Sequence, residues 1–145
     1  MSQLSSIKST LSQLSGGALW YHGTSCDLES FVIRVIDPTT REMQYYQLTI
    51  NCAWRLRQHH QVVLSSNDYW FEDDNSIRFE PSVAAFWAKH NPANLIIWAI
   101  EVQPQSGDLC FSINHNYQLD ILIDAAAGEH WVLYHDGLKI CSYRS

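Results

Sequence analysis

Three residues in this chain carry side chains that could do chemistry together: His22, Tyr69 and Glu129. His22 sits in "WYHGTS" (residues 20–25), where an aromatic pair runs into His-Gly-Thr. An imidazole there can donate and accept hydrogen bonds, and so can the phenol of a tyrosine further along. A late carboxylate such as Glu129, in "GEHW", can act as a general acid or base. The plainer expectation makes His22 a strand residue before a turn at Gly23.

Other reactive side chains suggest less. His59 and His60 are adjacent, so on a strand or tight turn they point to different sides and do not chelate one ion. His115, His130 and His135 lack regular ligand spacing and are expected as solvated turn residues, so no metal and no cofactor is expected. Asp120 and Asp124 stand four apart on one strand face, where paired carboxylates could do acid–base work. A solvated strand face is the expectation for them. The four cysteines (Cys26, Cys52, Cys110, Cys141) form no CxxC pair and read as free, mostly buried thiols. Neither a glycine-rich phosphate loop nor a GxSxG elbow is present.

The elements that must carry these residues are written twice. "YQLTI" at 46–50 matches "YQLDI" at 117–121 in four of five positions. "WRLRQHHQVVLSS" from Trp54 lies over "WVLYHDGLKICSY" from Trp131, pairing Trp54 with Trp131, Leu56 with Leu133 and Ser65 with Ser142. "CDLESFVI" and "GDLCFSI", then "LW" at 19–20 and "IW" at 97–98, follow in the same order. Leu4, Ile7, Leu11 and Leu14 recur at helical spacing ahead of Gly16-Gly17, and Pro81 opens a second helix carrying Val83, Phe86 and Trp87. "LCFSI" and "YQLDILID" alternate as strands, and Asp136-Gly137 is a hairpin turn; Asp37-Pro38 marks a longer one. The predicted fold class is therefore α+β: two similar halves, each a short helix followed by three or four antiparallel strands, sharing one core. The halves are 3–66 and 81–143 of a single domain, 1–145.

At 145 residues, with 46% apolar and 17% charged residues, the chain has the balance of one globular domain. No run approaches the roughly 20 apolar residues that span a bilayer, and "MSQLSSIKSTLSQLSGG" has no apolar block of a leader. A cytoplasmic location without membrane contact is expected. The net charge of -6, with nine scattered Lys and Arg, gives no footprint for nucleic acid and points to a basic partner. Between the halves, residues 67–80 ("NDYWFEDDNSIRFE") set acids beside aromatics. Either the aromatics cover a seam, or the segment docks a basic protein, with Trp70 as anchor and Asp68, Glu72, Asp73 and Asp74 steering it.

Two resemblances add to this. The "WYHGTS" strand resembles the nicotinamide-holding strand of ADP-ribosyltransferases, which implies an NAD-dependent enzyme using His22 and Glu129. The chain departs from that pattern where the apolar strand "SFVIRVI" replaces a short loop and small helix. The second resemblance is to small bacterial proteins with an L-x-I…WRL segment and a later L-x-I…E-x-W-x-L segment. Here these are Leu48-Thr49-Ile50 to Trp54-Arg55-Leu56, and Leu119-Asp120-Ile121 to Glu129-His130-Trp131-Val132-Leu133. Such proteins are taken as immunity proteins, which block a toxin by binding it. That likeness covers about two thirds of the chain and implies a non-enzymatic toxin antagonist.

Overall fold

A computed structural model describes residues 3–25, 28–66, 69–71, 77–79, 86–87, 95–124 and 128–144. The chain opens with helix α1 (Gln3–Leu11), tightened into a 3₁₀ turn over Ser12–Leu14. Ile7, Leu11 and Leu14 are all buried, so the helical stripe faces inward as its spacing predicts. Gly16, at φ +87, stops the helix in the left-handed conformation that costs glycine least.

Strands β1 (Ala18–Ser25), β2 (Leu28–Ile36), β3 (Met43–Ile50), β4 (Ala53–Gln58) and β5 (Gln61–Ser65) follow. The connector holds a small hairpin, β6 (Tyr69–Phe71) with β7 (Ile77–Phe79). Phe86 and Trp87 are helical, and the remainder of the helix expected from Pro81 lies outside the described residues. Then come β8 (Ile97–Val102), β9 (Leu109–Ile113), β10 (Tyr117–Leu122), β11 (Glu129–His135) and β12 (Leu138–Arg144). The two main sheets thus take five strands before the connector and five after it, where alternation predicts three or four.

All of these pairings are antiparallel. One sheet has the order β1-β2-β3-β11-β12 and the other β5-β4-β10-β9-β8. The described residues therefore form mostly two five-stranded antiparallel sheets, with the short helix α1 at their start. At one side the sheets meet: Leu19 N–H donates to Leu95 O (2.8 Å) and Ile97 N–H to Gly17 O (2.8 Å). In the middle the chain crosses from sheet to sheet twice, at 51–52 and again between β10 and β11. Asn51, in the first crossing, donates its N–H to His130 O at the start of β11 (2.8 Å).

Alternation builds the core. On β9 the buried side chains are Leu109, Phe111 and Ile113, and on β10 Tyr117, Leu119 and Ile121. Phe31 from one sheet meets Trp54 from the other edge to face at 5.2 Å. Trp87 adds a third layer, 5.8 Å from Phe31. Helix α1 lies against β8 and β12 and joins the same buried cluster. Near the second crossing, Trp131 donates its indole N–H to Gly107 O at 3.3 Å. Gly107, at φ +81, also lies so close to the Tyr143 ring that a Cβ would overlap it.

Trp54 and Trp131 are both fully buried, as their matched positions predict. Changing either to Ala is expected to cost about 3–5 kcal/mol in urea unfolding. Unaltered unfolding of either soluble variant would contradict the packing described.

Candidate functional site

The outer faces of the two sheets carry the polar and exposed aromatic side chains. On the β5-to-β8 sheet, cross-strand neighbours form the row Arg55, Asp120, Cys110 and Glu101. Asp120 was expected in water but is only 5% exposed. The physical reason is a pair of guanidiniums laid over it. Arg57 makes a two-pronged contact, Nε to Oδ2 at 2.6 Å and Nη2 to Oδ1 at 3.0 Å, and Arg55 Nε reaches Oδ2 at 2.9 Å. Asp124 lies past the end of β10 and is exposed, so the two aspartates do not form an acid–base pair.

Burial pushes the Asp120 carboxyl up, yet the hydrogen bonds from Arg57 and Arg55, aided by the charge of Arg57, hold it below its usual range. Its neighbour Cys110 is pushed up to about 11, by burial first and then by the Asp120 charge. Burial alone lifts Cys141 to about 11 as well. Both thiols therefore stay protonated at neutral pH and are weak nucleophiles. Cys52, Cys110 and Cys141 are half-buried; Cys26 lies outside the described residues.

On the other sheet, Val32, Gln47 and Tyr134 are cross-strand neighbours, and Trp20 continues their row on β1. Beside them Tyr45 is 54% exposed. Tyr45, Tyr46, Tyr134, Gln47, Val32 and Asp136 line a groove of 640 Å³. The Tyr46 hydroxyl is pushed above its ordinary value, by burial first and then by the charges of Asp136 and Asp37. Arg34 is the cross-strand partner of Tyr45, so a cation also stands at this end of the sheet. Asp37 itself caps its turn, accepting Thr39 N–H at 2.8 Å and Thr40 N–H at 3.1 Å.

The histidines fall in three environments. His130 was expected in a solvated turn but is buried on β11, where the strand slips register between Glu129 and Trp131. His135 also lies on that strand, stacked on Tyr46 at 4.4 Å and bonded to Gln44 Oε1 at 2.8 Å. His59, His60 and His115 are exposed turn residues, and all three line one cleft on the β5-to-β8 sheet. Among the described residues no group of three or more His, Cys, Asp or Glu is placed to hold a metal ion.

His22 lies on β1 at a register shift between Tyr21 and Gly23, as an extra residue in the strand. Glu129 begins β11, three strand spacings across the sheet, roughly 14 Å. Its carboxylate is bonded by Lys139 Nζ at 2.8 Å, and that bond, with one from Ser142, holds it below its usual range. The structure does not bring His22 and Glu129 together. Tyr69 and Trp70 belong to β6, and only their backbone is described. Asp68, Glu72, Asp73 and Asp74 lie outside the described residues.

No protein-family model, curated protein or solved structure matches the chain. The resemblances drawn from its sequence rest on the residues quoted for them. Among the described residues, no helix is long and apolar enough to cross a membrane.

The sign of the Asp120 contribution follows from its lowered pKa. A carboxyl depressed in the folded state stabilises fully above its ordinary value of 3.8 and loses that contribution as pH falls through the lower folded value. Asp120→Asn is therefore expected to lower stability by about 2 kcal/mol at pH 7. The gap to the parent protein should narrow below about pH 4. A gap independent of pH, read from urea unfolding at several pH values, would contradict the charged triad.

Proposed function

We propose that this chain is a non-catalytic protein-binding antagonist of the immunity type, which neutralises a bacterial toxin domain by direct contact. The observation that carries the proposal is the tyrosine-lined groove at the end of β3 and β11, with the exposed Asp136 carboxylate on its rim. Tyrosine is a favoured interface residue because it brings a large contact area and a polar tip with few rotamers to freeze. Ring faces beside a carboxylate suit an Arg or Lys side chain, held by cation–π attraction and by charge. The net charge of -6 favours the same class of partner and speeds its approach. Toxin domains that attack nucleic acid are commonly basic, since they must bind phosphates. The connector acids Asp68, Glu72, Asp73 and Asp74, with Trp70, form the second part of the proposed contact.

We also infer that the chain is two copies of one unit, 3–66 and 81–143, joined by 67–80. The strand orders support this. Replacing β1 to β5 by β8 to β12, and the reverse, turns the order β1-β2-β3-β11-β12 into β8-β9-β10-β4-β5, which is the other sheet. Each unit would then lend two strands to the sheet begun by its twin.

The test is a titration against the basic protein domain encoded by the gene immediately upstream. One-to-one binding that weakens with salt is expected. Tyr45→Ala with Asp136→Asn should raise Kd by at least about tenfold while leaving thermal melting nearly unchanged. Asn is used because position 136 has φ 52, which Asn tolerates. Reversing Glu72, Asp73 and Asp74 to Lys should also weaken binding. Absence of binding by a folded sample would overturn the proposal, and equal affinity in the Tyr45 variant would remove the groove from it.

A further inference from the structure

The cleft at the turn end of the β5-to-β8 sheet is separate from the tyrosine groove and is built differently. It has a volume of 380 Å³, within the range of small-molecule sites, and its most exposed large side chain is Trp98. His59, His60, His115, Asn116 and Gln118 line the rest of it, and the cleft runs from Trp98 on β8 past β9 and β10 to the histidine turn after β4. Among the described residues that line it there is no Asp, Glu, Lys or Arg.

Three observations show that this arrangement is held in place by the fold. First, β8 slips register between Ile97 and Ala99, and Trp98 is the extra residue, 65% exposed on the sheet edge. A bulge is the usual backbone device for re-aiming one side chain. Second, four residues at the rim have a left-handed backbone without being glycine: His59 (φ 50), His60 (φ 70), His115 (φ 62) and Asn116 (φ 63). Each such residue costs roughly 1 kcal/mol or more relative to glycine, and such strain concentrates at functional sites. Another two-residue hairpin, after β11, makes its turn with Asp136-Gly137, the inexpensive choice. Third, the two strained turns are tied together. His59 N–H donates to Asn116 O at 3.3 Å, Gln58 Nε2 donates to His115 O at 3.2 Å, and Asn114 Oδ1 accepts Ile96 N–H at 3.0 Å.

We propose that this cleft binds a neutral sugar ring. A pyranose has an apolar face of C–H groups that packs on a flat indole, and a rim of hydroxyls that both donate and accept. The cleft offers that pairing: one indole, with amides and imidazoles that carry donors and acceptors. Its uncharged lining favours a polyol over a phosphate or a carboxylate. His59 and His60 are kept in place of a cheaper turn because their rings bond the sugar. This proposal does not depend on the protein-binding reading.

The test is calorimetric titration with maltotriose, cellotriose and triacetylchitotriose, alongside the matching monosaccharides and a heparin-derived trisaccharide. Saturable one-site binding of at least one neutral trisaccharide is expected, with Kd of about 1 mM or tighter. A monosaccharide that binds as tightly identifies a free sugar as the ligand, and one that does not identifies a glycan. Trp98→Ala should abolish the binding without changing the melting temperature. The double change His59→Asn, His60→Gly should raise the melting temperature and weaken binding. No binding by any neutral sugar, binding of the heparin fragment alone, or undiminished binding after Trp98→Ala would overturn the proposal. Undiminished binding in the double variant would remove the imidazoles from it.

Discussion

Two segments of this chain leave one sheet and enter the other side by side, and most of the structure depends on that shared crossing. β3 runs into β4 through Asn51 and Cys52, while β10 runs into β11 in the opposite direction next to it. Asn51 fastens the pair through His130 O. Because β4 pairs with β10 and β3 with β11, neither sheet can form from one stretch of sequence. A slip of one residue in either pairing would turn Trp54 or Trp131 out of the core. The fully buried tryptophans lie just beyond each crossing, where the two sheets separate and the largest side chains fit. Helix α1 and the Phe86–Trp87 turn then cover what the sheets leave open.

With the inner faces committed to one core, function falls to the outer faces and the turns. There the chain treats its charges in two ways. Asp120 is cancelled by Arg55 and Arg57, so that acid stiffens the sheet rather than projecting a field. Asp136 is largely exposed, and its charge and that of Asp37 are felt by Tyr46. The histidine turns at the other sheet show a second pattern, in which backbone stability is given up for side-chain chemistry.

Much of the fold was legible because it rests on local rules. Period-two alternation located β9, β10 and β11; the apolar stripe located α1; and Asp136-Gly137 located a hairpin. Strand count was less legible: alternation predicts three or four strands per half, and the two main sheets take five from each. Asp120 was placed on the correct face, but its burial depends on arginines 63 and 65 residues away in sequence, whose register no local pattern records. His130 was misread as a turn residue because the slip that draws it inward is a product of pairing. The tyrosine groove was missed as well. Its residues come from β2, β3 and the β11 hairpin, and a fold must bring them together. The alternation of exposed Tyr45 and Gln47 with buried Tyr46 and Leu48 was the available signal.

Whether that groove selects a cationic side chain is the central point, and it is open to a direct measurement without any partner in hand. Amide and side-chain NMR shifts would be followed while arginine amide, and separately citrulline amide, is titrated into the protein. Salt-sensitive shifts confined to residues 45–47 and 134–137, seen with the arginine derivative and absent with its uncharged analogue, are expected. Equal shifts with both compounds, or shifts centred elsewhere on the molecule, would contradict a groove built for a basic partner.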